Sequence, residues 1–230
     1  IIRKSNMLPS VCGRVCPQER QCESKCILGI KGDSVAIGAL ERYVGDNSAP
    51  VKTQIKENGK KVAIVGSGCA GMSAAADLRN AGFEVSVFEA LHELGGVLRY
   101  GIPPFRLPRT VLDREIETLK EIGVKFYKNV IVGKSITLNQ LKEEGYDAIF
   151  ICSGAGLPKM LGVPGENLNG VYSANEFLTR VNLMHANEPD TPTPLKVGNK
   201  AAIIGGGNVA MDAARTAVRV GYKEVYIVYR

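Results

Sequence analysis

The chain has 230 residues, 45% of them hydrophobic and 23% charged, a globular composition with length for one large domain or two modest ones, neither disordered nor fibrous. Its net charge of +6 comes from 29 Lys and Arg set against 23 Asp and Glu, scattered rather than blocked, which suits solubility and anionic cofactors and argues against nucleic-acid binding. No run of about 18 apolar residues occurs and no charged-then-apolar segment opens the chain, so neither a membrane span nor a secretory leader is expected and a cytoplasmic protein is.

The first feature is "VCGRVCPQERQCESKC", residues 11 to 26, with Cys12, Cys16, Cys22 and Cys26 separated by three, five and three residues. In a reducing compartment such a quartet points to ligands rather than disulfides, and thiolates serve iron–sulfur clusters and structural zinc alike. Residues 34 to 46, "SVAIGALERYVGD", carry apolar side chains at 35, 36, 39, 40 and 44, a helical spacing with Ser34 as the N-cap. The polar stretch 47 to 59 contains Pro and Gly without a sustained period and reads as a linker.

From residue 60 the texture changes to β-branched runs alternating with helical patterns. "KKVAIVG", "AGMSAAADLRNAG" and "EVSVFEA" form a βαβ unit, the element of doubly wound parallel sheets. "PRTVLDREIETLKEIG" follows, with Leu112, Ile116, Leu119 and Ile122 on one helical face. Next come a strand over 124 to 133, a short helix "LNQLKEEG" and a buried strand in "YDAIFICSG". A helix over 173 to 186 leads into a second polar, proline-bearing linker. The remaining residues make another βαβ unit, and because Gly66 and Gly205 stand 139 residues apart at equivalent places the chain carries a weak internal duplication.

"GSGCAG" sets Gly66, Gly68 and Gly71 at G-x-G-x-x-G spacing between strand and helix. The first glycine makes the tight turn, the second lets the backbone approach a pyrophosphate, and the third allows close helix packing. Ser67, Ala70 and the helix N-terminus complete a phosphate cradle. Glu89 ends the second strand 23 residues after Gly66, where a carboxylate accepts from a ribose 2′-OH. "GGGNVA" repeats the plan with Gly205, Gly206, Gly207, Asn208, Val209 and Ala210, but its second strand runs to Arg230. A carboxylate there would repel a 2′-phosphate and a guanidinium pairs with it, so the second site is expected to prefer NADP.

One acid-ended and one arginine-ended site suggest a flavoprotein, FAD in the first and NADPH in the second. "ELGGVLRYGIPPFRLPR" fits, with Gly95, Gly96 and Val97 against the flavin and Arg106 toward a phosphate or the dinucleotide's polar edge. Gly154, in "FICSGAG", allows a turn close to the FAD. Cys69 and Cys152 read as small buried residues, and His92 and His185 are too isolated for a metal or a base.

Together "LPSVCGRVCPQERQCESKC", "VAIVGSGCAG", "GGVLRYGIPPFRLP", "GVPGENLNGVYSANEFL" and "IIGGGNVAMDAARTA" resemble the small flavin subunit of NADPH-dependent glutamate synthase. The flavoprotein subunit of electron-bifurcating ferredoxin:NADP oxidoreductase and the N-terminal half of dihydropyrimidine dehydrogenase belong to the same group. The resemblance implies an α/β chain in which a helical iron–sulfur segment (1–55) precedes two glutathione-reductase-like, Rossmann-type domains, for FAD (56–190) and NADPH (191–230, its start only). It implies [4Fe–4S] clusters on the four cysteines, with Cys12, Cys16 and Cys22 on one and Cys26 on the other. Relatives supply further ligands from an upstream cysteine run, so these 230 residues are expected to be part of a longer polypeptide.

The implied function is transfer of electrons from NADPH through FAD to the clusters, and on to a large subunit that makes glutamate from 2-oxoglutarate and glutamine. A ferredoxin-reductase-like partner is the alternative. No protein acid or base is needed for hydride transfer, and no catalytic residue is named. A redox-sensing or scaffold protein with a degenerate fold is opposed by the intact glycine triads and the arginine-ended strand.

Overall fold

The computed structural model describes residues 1–48 and 54–230. The chain divides into two compact units, the first made of Ile1–Gly95 with Arg106–Ser153 and the second of Gly96–Phe105 with Gly154–Arg230.

Ahead of the first strand the backbone is helical. α1 (Ile2–Ser5), α2 (Pro9–Val15) and α3 (Ile37–Asn47) are joined by short 3-10 turns over Gln18–Arg20, Glu23–Lys25 and Ile27–Ile30. Pro9 opens α2, a place where its missing N–H forfeits no helical bond. α3 crosses α2 so closely that a Cβ on Gly45 would stand 2.4 Å from the Ser10 nitrogen, and only glycine permits that approach. Ser34 is not the cap: α3 begins after Ala36 without a side-chain cap bond, and the Ser34 hydroxyl lies beside Gly29 instead. Of the expected linker at 47–59, residues 49–53 lie outside the described residues.

The expected βαβ unit follows as β1 (Lys61–Val65), α4 (Cys69–Asn80) and β2 (Glu84–Phe88). Beyond it come α5 (Val97–Tyr100), α6 (Arg109–Glu121), β3 (Lys125–Tyr127), α7 (Leu138–Glu143) and β4 (Ala148–Ile151). The four strands form one sheet in the order β3-β2-β1-β4, parallel throughout, with Val62 of β1 opposite Val85 on one side and Ala148 on the other. Central strands covered on both faces read as unbroken apolar runs; Val62, Ala63 and Ile64 are all buried. α4 buries Met72, Ala75 and Ala76, and α6 buries Leu112, Ile116 and Leu119 at helical spacing. Ile122, expected on the same face, is the half-buried C-cap of α6.

Two expectations are corrected here. The strand foreseen over 124–133 stops at Tyr127, because Asn129 adopts the left-handed conformation (φ 60°) and turns the chain; Val132 and Ile136 then form an isolated bridge. β4 is an edge strand rather than a buried one, and Phe150 and Ile151 are exposed.

The second unit holds α5 together with α8 (Ala174–Asn182), β5 (Lys200–Ile204), α9 (Asn208–Arg219) and β6 (Glu224–Val228). Ser173 caps α8 by accepting from the Glu176 N–H at 3.1 Å, and the helix ends four residues earlier than its apolar pattern implied. β5 and β6 pair in parallel, and Phe177 and Leu178 of α8 pack with Ala213 and Ala217 of α9. Among the described residues no helix is long and apolar enough to cross a membrane.

Candidate dinucleotide turns and cysteine segment

Each βαβ unit ends its first strand in the same way. The N–H of Gly66 donates to the carbonyl of Phe88 at 2.8 Å, and the N–H of Gly205 donates to that of Val228 at 2.8 Å. Both glycines have positive φ, 110° and 125°, a conformation that side-chain-bearing residues avoid. The following helix is entered alike, Met72 N–H to Gly68 carbonyl at 2.9 Å and Met211 N–H to Gly207 carbonyl at 3.0 Å. The weak duplication of sequence is thus a repeated hydrogen-bond pattern.

The first turn is the tighter one. A Cβ on Gly71 would lie 2.0 Å from the Gly66 carbonyl oxygen, whereas one on Gly68 would meet nothing within 4 Å. Glycine is required at 71 for packing, and at 68 the open side leaves room for a ligand's phosphates. Ser67 is buried, and its N–H and hydroxyl both donate to Glu89 Oε2, at 2.9 and 2.5 Å. Glu89 Oε1 accepts from the Leu91 N–H at 2.9 Å, and the Gly95 N–H donates to Ser67 Oγ at 2.9 Å. Gly66, Ser67, Gly68, Ala70, Gly71, Glu89 and Gly95 are therefore brought together. Glu89, one residue beyond β2, accepts these three protein bonds through its two carboxylate oxygens.

Gly96 and Val97 fall in the second unit, where Gly96 (φ 54°) precedes α5 and Val97 is exposed. Arg106 is half-buried in the first unit. Gly154 is exposed with φ 76°. In the second turn Gly206, Gly207, Asn208 and Val209 are exposed and Ala210 is buried. The Tyr229 ring lies 3.5 Å from where a Gly206 Cβ would be, and exposed Arg230 follows it. Ala210 occupies the place of Gly71. The second turn is wide enough for its methyl, which would stand 3.5 Å from a Cβ on Gly205.

The cysteine segment is assembled around α2 and α3. Burial raises the Cys12 thiol's pKa against an opposing hydrogen bond to Asn6, at 3.7 Å; the Glu41 carboxylate adds to the rise. Burial also raises Cys16, helped by Cys22 and Glu41. Cys26 moves the other way, lowered by main-chain N–H groups, first that of Val35, which donates to its sulfur at 3.4 Å. Among the described residues no three Cys, His, Asp or Glu side chains gather as a single metal ion would need. Cys16 nevertheless adds to the rise at Cys12 and Cys22 to the rise at Cys16, and a cluster takes its thiolates on separate irons.

Glu41 was missed by sequence reasoning. Its Oε1 accepts from Asn6 Nδ2 at 2.8 Å, and Asn6 also meets Cys12, so an oxygen donor stands in the thiol neighbourhood. On a helical wheel it reads as one more exposed charge, and no local pattern marks it. Cys69 and Cys152 are not the small buried residues expected: Cys69 is exposed at the start of α4, and Cys152 is half-buried with its sulfur 3.3 Å from the Val65 carbonyl oxygen. His92 and His185 are exposed.

Comparison with known proteins agrees with this geometry. Residues 60–230 match the pyridine nucleotide-disulphide oxidoreductase family, and residues 1–53 match domain II of dihydropyrimidine dehydrogenase, a 4Fe-4S cluster domain. The glutamate synthase (NADPH) small chain of Escherichia coli strain K12 is 39% identical over 235 residues, 99% of this chain and 50% of that one. The NADP(+)-dependent formate dehydrogenase subunit beta of Moorella thermoacetica is 39% identical over 100% of this chain and 35% of its own. Mycobacterium tuberculosis FprA in complex with NADPH matches with a TM-score of 0.60 at 29% identity, over 73% of this chain and 42% of that one. The chain spans about half the length of the glutamate synthase relatives. Its strand–glycine turn–helix units and the match over residues 60–230 place the chain in the pyridine nucleotide-disulphide oxidoreductase family.

Proposed function

We propose that the chain is the electron-entry part of an NADPH-dependent flavin and iron–sulfur oxidoreductase of the glutamate synthase small-chain type. The observation that carries this reading is the pair of equivalent glycine turns, one tied to Glu89 and the other followed by Arg230. When bound, the cofactors supply hydride transfer from NADPH to FAD and single-electron transfer onward to [4Fe–4S] clusters.

The residues' part is binding and orientation. The Gly66–Gly71 turn and the N-terminus of α4 would hold the FAD pyrophosphate, Glu89 would take a ribose hydroxyl, and Gly95, Gly96, Val97, Arg106 and Gly154 are the further residues assigned to FAD. Gly205, Gly206, Gly207, Asn208, Val209 and Ala210 hold the NADPH pyrophosphate, with Arg230 at the 2′-phosphate. Cys12, Cys16, Cys22 and Cys26 supply thiolates to the clusters, Cys26 with its sulfur already accepting a main-chain N–H. Such ligands require a reducing compartment, the cytoplasm. The electron acceptor is a large partner subunit that makes glutamate.

The test is an anaerobic titration of the full-length protein with NADPH, followed by flavin absorbance and by electron paramagnetic resonance. Flavin bleaching followed by a reduced-cluster signal is expected, and Cys16→Ser should lower iron while FAD stays bound. Metal analysis returning zinc and no iron would overturn the electron-transfer reading.

A further inference from the structure

The first unit contains a polar joint that none of the cofactor-binding residues explains. α2 and α3 belong to the cysteine segment and α6 to the dinucleotide-binding fold, and their side chains interlock. Arg114 of α6 donates to Ser10 Oγ at 2.8 Å, to the Gly45 carbonyl at 3.1 Å and to Asp46 Oδ1 at 3.4 Å. Asp46 of α3 also receives both arms of Arg14, at 2.8 and 2.7 Å, and the Ser10 hydroxyl at 3.3 Å. Arg3 reaches the Gly45 carbonyl at 3.1 Å and lies 4.0 Å from Glu115 Oε2.

Glu115, the neighbour of Arg114 on α6, is 2% exposed, and its Oε1 has no hydrogen-bond partner. Ser10 is fully buried. An apolar contact between α2 and α6 would be more favourable in free energy, because burying a carboxylate with one oxygen unpaired costs stability. What a directional polar set adds is a single register: Ser10 can meet Arg114 and Asp46 together in one placement of α2. Cys12 lies two residues beyond Ser10 on the same helix. Two residues ahead of α2, Met7 Sδ accepts from Asn80, the last residue of α4, at 3.9 Å. Fixing Ser10 against α6 therefore fixes Cys12 on the dinucleotide-binding fold.

We propose that Arg114, Asp46 and Ser10, backed by buried Glu115, form a positioning joint that holds α2 and Cys12 in one set place on the dinucleotide-binding fold and thereby sets the rate of electron transfer from flavin to cluster. The inference rests on the proposed NADPH–FAD–cluster sequence. Single-electron transfer weakens steeply with separation, so a small displacement of α2 slows that step while leaving the hydride step alone. Arg114 is a positioning residue, its guanidinium engaged by Ser10, Gly45 and Asp46.

The experiment uses full-length protein carrying Arg114→Gln, Asp46→Asn, both together, or Arg114→Lys, which keeps the charge but not the guanidinium. In cofactor-free protein, hydrogen-exchange protection of the α2 amides should fall at least tenfold in the Gln variant and less in the Lys variant. In loaded protein with unchanged iron, flavin bleaching by NADPH should keep its wild-type rate while the reduced-cluster signal develops at least tenfold more slowly. The double variant should be no worse than Arg114→Gln, as expected for residues acting as one unit. Cluster reduction at the wild-type rate would overturn the joint while leaving the functional reading intact, and so would iron loss that accounts for the slowing. A wild-type protein whose flavin bleaches while its clusters stay oxidised would overturn the functional reading and the joint with it.

Discussion

Ser67 gives both its main-chain N–H and its hydroxyl to one oxygen of Glu89, at 2.9 and 2.5 Å, across 22 residues of chain. The acid at the end of β2 is therefore part of the turn's own framework as well as a candidate ribose ligand.

Glu89→Ala should consequently act twice. Hydrogen bonds to charged groups are worth about 1.5–3 kcal/mol each, so the cofactor-free protein should lose stability of that order, read as a lower urea midpoint. FAD retention should fall about tenfold, the equivalent of about 1.4 kcal/mol. A variant with the wild-type midpoint that loses only FAD would show that Glu89 serves the ligand alone.

The third positions of the two turns should differ in their tolerance. Gly71→Ala places a methyl 2.0 Å from the Gly66 carbonyl oxygen, a backbone atom that cannot swing aside, so α4 must shift away from β1. Loss of FAD on gel filtration is expected. Ala210→Gly removes a methyl that the second turn accommodates and should cost only the helix-propensity difference of about 1 kcal/mol. Equal FAD content in wild type and Gly71→Ala would refute the packing account.

What was legible in the sequence was local. Gly66, Gly68, Gly71 and Gly205 announce their turns because a strand precedes and a helix follows each, and Ser173 announces its helix. Ser34 misled because a serine ahead of an apolar period resembles a cap, whereas α3 begins three residues later. The strand expected through residue 133 failed on one residue, Asn129, whose left-handed backbone ends the pairing. Glu41 beside Cys12, and Arg114 on Ser10, join residues far apart in the chain. No periodicity reports such contacts.

Glu115 gives a pH dependence of definite sign. Burial raises its carboxyl above the ordinary 4.5, with Arg3, Ser10 and Arg114 opposing and Asp46 assisting. An acid whose folded pKa is raised contributes stability that is fully present below its unfolded value and is lost as pH rises through its folded value. Glutamine does not titrate. The stability of Glu115→Gln relative to wild type should therefore increase from about pH 4 to about pH 8, measured by urea unfolding at each pH. A difference independent of pH would show that Glu115 titrates as an ordinary exposed acid.

Coenzyme choice is the sharpest test of the second turn. Arg230, expected at the end of the second strand, lies two residues beyond β6 and one beyond Tyr229, the counterpart of Glu89 in the first unit, and is exposed. The 2′-phosphate of NADPH wants a cation there, and NADH offers nothing for it to bind. An exposed ion pair contributes about 0.2–1 kcal/mol, so Arg230→Ala should raise KM for NADPH by up to about fivefold. Turnover with NADH should stay nearly unchanged, since only the phosphate contact is lost. Because that effect is small, the wild-type comparison carries the decision: full-length protein should reduce its flavin faster with NADPH than with NADH at equal low concentration. The reverse order would remove Arg230 from the coenzyme site.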